Sequence, residues 1–230
     1  MKKEIKVMGK NGEVKNALLS IECCVAAGYT GRRQDVVQSH IEELQKLGIP
    51  TPYSVPALYW ISPHRIRDGN EIYVVGEYSS MEVEFFLALD EHGRRYFTVA
   101  SDHTDRELES VSTSKSKQIC DKIIGDEFWF VDEVDDHWDG IQLQARVMVA
   151  GKWQKYQNGV LGDLLHWNDL EKIIARDNVA SGTLAIFGGT LPIIAEGTIY
   201  SEACEITMID PFLSRSITKQ YRVHILPDRS

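Results

Sequence analysis

The sequence predicts an α+β fold rich in β-strand, a mixed β-sandwich or roll carrying a few short helices, and three observations predict it. Short runs of alternating apolar and polar residues recur along the chain, Gly, Pro and Asp punctuate them, and helical periodicity is confined to two stretches. With 230 residues, 43% of them hydrophobic and 9% aromatic, the chain suits one domain spanning residues 1–230 with a sizeable core. No internal repeat, low-complexity tract or linker divides it.

Residues 4–14, broken by Gly9-Lys10-Asn11-Gly12, read as a hairpin, and a strand is expected from Leu18 to Val25. A helix follows: Asp35 suits its N-cap, residues 36–47 carry the 3.6-residue period, and Gly48 with Pro50 stops it. Further strands are expected at residues 71–75, 83–89, 96–101, 141–149, 184–187, 205–209 and 217–223. A second helix is expected over residues 167–175, with Asn168 or Asp169 at its start. Gly188-Gly189-Thr190-Leu191-Pro192 reads as a strand running into a glycine turn.

A formal charge of −9 argues against binding to nucleic acid, whose partners concentrate Lys and Arg for counterion release. No apolar stretch is long enough to span a bilayer, and Met1-Lys2-Lys3-Glu4 opens without the apolar core of a secretory signal. Neither a membrane nor nucleic acid is therefore expected as a partner. The four cysteines, Cys23, Cys24, Cys120 and Cys204, form no CxxC and match no disulfide framework, so idle thiols in a cytoplasmic protein are expected.

Residues 81–89, Met-Glu-Val-Glu-Phe-Phe-Leu-Ala-Leu, read as a strand that projects Glu82 and Glu84 from one face and Val83, Phe85 and Leu87 from the other. The two carboxylates are then roughly 7 Å apart and repel unless water screens them or a cation joins them. Asp90-Glu91-His92-Gly93 is turn chemistry and residues 96–101 are strand chemistry. If the turn centres on His92, antiparallel register sets Glu82 opposite Asp102 and Glu84 opposite Ala100, on a shared face. Three oxygen ligands there would suit Mg2+ or Mn2+, with Ca2+ as an alternative, and leave coordination positions for a substrate. The same spacing also suits a solvated, charged strand face.

Several blocks in order resemble the fumarylacetoacetate hydrolase superfamily. Its Glu-x-Glu strand and following Asn-Asp-hydrophobic-Ser/Thr-Ala-Arg-Asp are similar to Glu82-Val83-Glu84 and Ser101-Asp102-His103-Thr104-Asp105-Arg106-Glu107. Its His-x-x-Glu segment resembles His40-Ile41-Glu42-Glu43, and its Ala-Lys-Ser-Phe resembles Ser116-Lys117-Gln118-Ile119. The family's Val-Asn-Gly-Glu and Gln-x-Gly turn resembles residues 149–159, and its Leu-Thr-Gly-Thr-Pro resembles residues 186–192. Gly28-Tyr29-Thr30-Gly31-Arg32 and residues 101–106 look closest to an uncharacterised branch, catalogued as domain of unknown function 2848. His103, Asp105 and Glu107 depart from the family's hydrophobe, Ala and Asp.

The resemblance implies Glu82, Glu84 and Asp102 as metal ligands, His40, Glu43 and Lys117 as catalytic residues, and Arg106, Gln157, Gly189 and Thr190 as substrate-binding residues. On an ideal helix His40 lies mid-stripe on the apolar face, within about 60° of Val36, Val37, Leu44 and Leu47, and Glu43 lies one turn away. A carboxylate there would orient the imidazole to activate water, although a core histidine satisfied by one hydrogen bond fits the same pattern. The implied activity is a metal-dependent hydrolase or lyase on a 2-oxo acid or 1,3-dicarbonyl small molecule, passing through an enolate. Decarboxylation, isomerisation, hydration and non-catalytic binding of a metal or small molecule stand as alternatives. A homodimer is the family's usual assembly.

Overall fold

The computed structural model describes residues 1–46, 51–177, 179 and 182–229, and leaves the side chains of His40, Glu43 and Leu44 outside its description. Two sheets dominate. The larger runs, in spatial order, through Val14–Ser20, Lys2–Met8, Glu127–Phe130, Arg95–Ser101, Val83–Leu89, Leu184–Thr190, Cys23–Gly28 and Ala57–Ile61. The smaller runs through Lys152–Val160, Gln142–Val149, Ala203–Asp210, Arg215–Leu226 and Glu71–Val75. A two-stranded ladder joins Ser79–Ser80 to Thr104–Asp105.

The sheets meet through apolar side chains of alternating position. Val83, Phe85 and Leu87 pack in one cluster with Leu143, Ala145, Val147, Ile206 and Met208 of the smaller sheet. Phe86 and Ala88, pointing the other way, pack with Ile5, Val7, Phe128 and Phe187. The Val83–Leu89 strand is thus covered on both faces, which explains its nearly continuous apolar sequence. Glu82 and Glu84 share the parity of Phe86 and Ala88, so an acidic pair sits at the end of a face that is otherwise oily.

The expected strands at 71–75 and 83–89 form with those bounds, and the other five form with ends shifted by one to three residues. The expected strand from Leu18 to Val25 is instead two: Val14–Ser20 ends, Ile21 and Glu22 break the ladder, and Cys23–Gly28 enters a different part of the sheet. The first helix is Gln34–Lys46, so Asp35 lies in its first turn and not at its cap; Leu47, Gly48 and Pro50 fall outside the described residues. Of its expected apolar stripe, Val36 is exposed and Val37 half-buried, and the Leu44 and Leu47 side chains fall outside the described residues. The second helix, Trp167–Ile174, is capped by His166, whose Nδ1 accepts from the Asn168 amide at 3.3 Å, in place of Asn168 or Asp169.

Several elements lack a counterpart in the sequence reading, Lys122–Ile124 and Glu127–Phe130 among them. Residues 149–159, matched to a family turn, mostly form the edge strand Lys152–Val160, in which only Tyr156 and Gln157 are buried. Ala57–Ile61 forms the edge of the larger sheet. Thr113–Ile119 is a short helix capped by Ser112, and it delivers Lys117 to the site described next.

Candidate metal centre and active site

The hairpin of Val83–Leu89 and Arg95–Ser101 pairs Glu84 with Ala100 and Val83 with Ser101, and one step further the Asp102 amide donates to the Glu82 carbonyl at 3.0 Å. Its turn is built by Asp90, whose Oδ1 accepts from the His92 and Arg94 amides at 2.9 Å each, while Gly93 adopts φ +76°. This turn centres on His92 and gives the register expected from the sequence. In consequence one carboxylate oxygen from each of Glu82, Glu84 and Asp102 lies within 4.8 Å of the others.

Three cations face the cluster. Lys117 Nζ donates to Glu82 Oε2 at 2.8 Å, to Asp102 Oδ2 at 2.6 Å and to Thr104 Oγ1 at 3.3 Å. The Arg106 guanidinium lies 3.0 Å from Glu82 Oε1 and also donates to Glu109 and to Ser80 Oγ, each at 2.7 Å. Lys122, fully buried, places Nζ 2.6 Å from Asp102 Oδ1 but donates to the His103 carbonyl at 2.5 Å. Asp102 Oδ1 is therefore held by charge without an aligned hydrogen bond, a buried acceptor with bonding capacity to spare.

The three carboxyl groups are not equivalent. Burial opposes ionisation of Glu82, but Lys117 and Arg106 outweigh it and hold its carboxyl at about 2. Burial, and then the charge of Asp102, push Glu84 well above the usual carboxylate range, and the 2.9 Å hydrogen bond from the Gly189 amide offsets this only in part. Burial disfavours the Lys117 ammonium, yet Asp102, Glu82 and Glu84 raise it well above the ordinary lysine value. Lys117 is thus a cation that donates hydrogen bonds to Glu82 and Asp102.

This donor set fits a hard divalent ion. All three side chains offer oxygen, they converge from adjacent positions of one hairpin, and Asp102 Oδ1 lacks the hydrogen bond a purely structural carboxylate would have. A doubly charged ion would also relieve the mutual repulsion that lifts Glu84.

A family model described as "Protein of unknown function (DUF2848)" matches residues 27–221. The chain belongs to this family. The branch that the sequence resembles is therefore the one it falls in. No match is found among curated proteins. Among solved structures, the apo form of 2-keto-3-deoxy-D-arabinonate dehydratase superposes with a TM-score of 0.67 at 16% identity, covering 96% of this chain and 86% of that one. The 2-keto-3-deoxy-D-arabinonate dehydratase complexed with magnesium and 2,5-dioxopentanoate gives 0.65 at 15% identity, over 90% of this chain and 74% of that one. Cg1458 gives 0.60 at 17% identity, over 93% and 80%. At such identities the DUF2848 chain shares a fold with these proteins, the β-rich α+β fold expected from its sequence.

In this DUF2848 member the other sequence-derived site residues take varied places. Gln157 is bound at both ends: Oε1 accepts from the Val83 amide at 2.9 Å, while Nε2 donates to Thr190 Oγ1 at 2.8 Å and to the Leu191 carbonyl at 2.5 Å. Thr190 Oγ1 in turn donates to the Val83 carbonyl at 2.8 Å. Both side chains tie down the backbone between Glu82 and Glu84. Gly189, at φ +93°, must be glycine, because a Cβ would collide with Thr30 Oγ1 and crowd the Ala27 carbonyl. Arg106 is spent on Glu82 and Glu109 and so braces the cluster. His40 and Glu43 have no described side chains.

Lys122 escaped the sequence reading, although a lysine beside Ile123 and Ile124 in a buried strand is a visible anomaly. His103, left unassigned there, is fully enclosed: Nδ1 is 3.0 Å from Tyr221 Oη and Nε2 is 3.0 Å from Ser79 Oγ. Burial, with Lys122 and Arg106 nearby, lowers it to about 3, so it is a neutral bridge between the smaller sheet and the two-stranded ladder.

Proposed function

We propose that this chain is a magnesium-dependent enzyme acting on a small 2-oxo acid, or a 1,3-dicarbonyl compound, by generating an enolate beside the 2-oxo group. The observation that carries the reading is the convergence of Glu82, Glu84 and Asp102 within 4.8 Å, beside the Lys117 ammonium. Glu82, Glu84 and Asp102 would hold the ion. When bound, Mg2+ supplies a Lewis acid and a template for the vicinal oxygens of the substrate.

The protein's own groups do the rest. Lys117 carries a fixed positive charge where negative charge develops on the substrate oxygen. Gln157 and Thr190 hold the Val83 backbone so that Glu82 and Glu84 keep their spacing. Gly189 orients Glu84 through its amide. The buried strands around the cluster limit the access of water, which strengthens each of these interactions.

For the bond that breaks, elimination of water is our preferred outcome, supported by the dehydratases among the structures of similar fold. Carbon–carbon hydrolysis is the second reading. It rests on the sequence resemblance and would call on His40 and Glu43 to activate water. The two share the enolate, so the test addresses that species. Incubated in deuterium oxide with Mg2+ and a panel of 2-oxo acids, the protein should exchange the C3 protons of at least one of them, as read by proton NMR, and Lys117→Met should reduce the rate by at least about 100-fold. Exchange no faster than the protein-free control across the panel would refute the proposal.

A further inference from the structure

Asp102 and His103 lie in a gap between two ladders. The pairing of Arg95–Ser101 with Val83–Leu89 ends at Ser101, and that of Thr104–Asp105 with Ser79–Ser80 begins at Thr104. Within the gap the Asp102 backbone keeps two ties: its amide donates to the Glu82 carbonyl at 3.0 Å, and its carbonyl accepts from Thr104 Oγ1 at 2.9 Å. A carboxylate placed here has less of the rigidity that a strand lends to its side chains, unless the residues beside it are held.

Both neighbours are held, and by the same atom. Ser101 Oγ lies 2.9 Å and His103 Nδ1 lies 3.0 Å from Tyr221 Oη, which the Arg215–Leu226 strand of the smaller sheet presents to them. The phenol has one proton and two lone pairs, so it donates to one of these groups and accepts from the other. The second ring nitrogen of His103 is 3.0 Å from Ser79 Oγ, and the His103 carbonyl accepts from Lys122 Nζ at 2.5 Å. Ser79, Ser101, His103, Lys122 and Tyr221 are all buried.

Packing alone does not call for this phenol. Tyr221 belongs to an apolar cluster with Cys204, Ile217 and Val223 of its own sheet, where phenylalanine would fill the space without a polar atom to satisfy. What the hydroxyl adds is a grip on the residue before Asp102 and on the residue after it. A buried network whose members are all satisfied is rigid, and Asp102 sits between its two points of attachment.

The other two carboxylates are fixed as well, Glu84 by the Gly189 amide at 2.9 Å and Glu82 by Lys117 and Arg106 at 2.8 and 3.0 Å. A rigid set of oxygens discriminates between ions by size. Mg2+ takes oxygens at roughly 2.0–2.1 Å in near-ideal octahedral geometry, whereas Ca2+ accepts roughly 2.3–2.6 Å in variable geometry. We propose that Tyr221 is a positioning residue: its hydroxyl, gripping Ser101 and His103, fixes Asp102 and thereby gives the site a preference for Mg2+ over Ca2+. The inference rests on the metal-dependent reading proposed above.

The test is calorimetric titration of Mg2+ and of Ca2+, separately, into the metal-free wild type and its variants, with the thermal midpoint of each metal-free protein recorded. Tyr221→Phe should weaken Mg2+ binding by about 10- to 100-fold. Ca2+, which tolerates a displaced ligand, should weaken by no more than about threefold, so the ratio of the two affinities falls. Val223→Ala opens a cavity two residues along the same strand; it should lower the thermal midpoint yet leave both affinities within about twofold of wild type. Ser101→Ala removes one point of the grip, should move the ratio in the same direction as Tyr221→Phe, and carries the test if that variant does not fold. Equal losses for both ions, no loss for either, or a shift in Val223→Ala as large as that in Tyr221→Phe overturns the inference and leaves the metal reading standing. A wild type that binds Ca2+ more tightly than Mg2+ does the same. A wild type that binds neither ion overturns the reading and the inference together.

Discussion

Among single residues, Lys122 shows how the charges of this site depend on one another. Its ammonium is fully buried, 2.6 Å from Asp102 Oδ1. Lys122→Met keeps most of the volume but leaves Asp102 with Lys117 alone. Urea denaturation in the absence of divalent ions should show a loss of about 3–5 kcal/mol, the usual cost of stranding a buried charge. Saturating Mg2+ should restore part of it, because an ion that binds only the native state raises its stability. A metal-free stability equal to wild type would mean that Asp102 does not depend on this lysine. The thiols behave differently: burial pushes Cys120 up to about 11 and Cys204 to about 12, so neither is a reactive nucleophile near neutral pH, in keeping with the idle thiols expected from the sequence.

The element on which the site depends is the hairpin from Val83 to Ser101, and Asp90 sets its register. Burial opposes ionisation of Asp90, but the Arg94 amide, the Arg94 guanidinium, the His92 amide and the Tyr96 hydroxyl outweigh it and hold the carboxyl below its ordinary range. A carboxyl lowered in the folded state stabilises the protein above its unfolded value near 4 and loses that contribution as pH falls through the folded value. Asp90→Asn should therefore be less stable than wild type at pH 7 by about 1–3 kcal/mol. Chemical denaturation at a series of pH values should show the gap narrowing as pH falls from about 5 to about 2. A gap that stays constant would show that Asp90 is protonated or unpaired in the turn. Because side chains alternate along a strand, a turn one residue longer would carry Asp102 to the opposite face and dismantle the cluster.

Across the whole molecule, what the sequence shows is what repeats with a short period or lies within one hairpin. The alternation in residues 81–89 and the turn chemistry at residues 90–93 are enough to bring Glu82, Glu84 and Asp102 together, since all three lie within about 20 residues and one register relation connects them. Lys122 was not legible because its placement depends on a strand that pairs in parallel with residues 66–67 and antiparallel with residues 100–101, relations that no local pattern encodes. The Lys152–Val160 strand reads as a loop because, at the edge of its sheet, it buries little. The engagement of Gln157 and Thr190 with Val83 depends on contacts 74 and 107 residues distant, the first made when the two sheets pack and the second when Leu184–Thr190 pairs with Val83–Leu89. The central claim is that this packing leaves three carboxylates gathered around one divalent ion. Isothermal titration of the protein with Mg2+ tests it most directly: a single saturable site per chain should appear, and Asp102→Asn should abolish it. A wild type with no saturable binding, or a variant that binds as well as the wild type, would contradict the account.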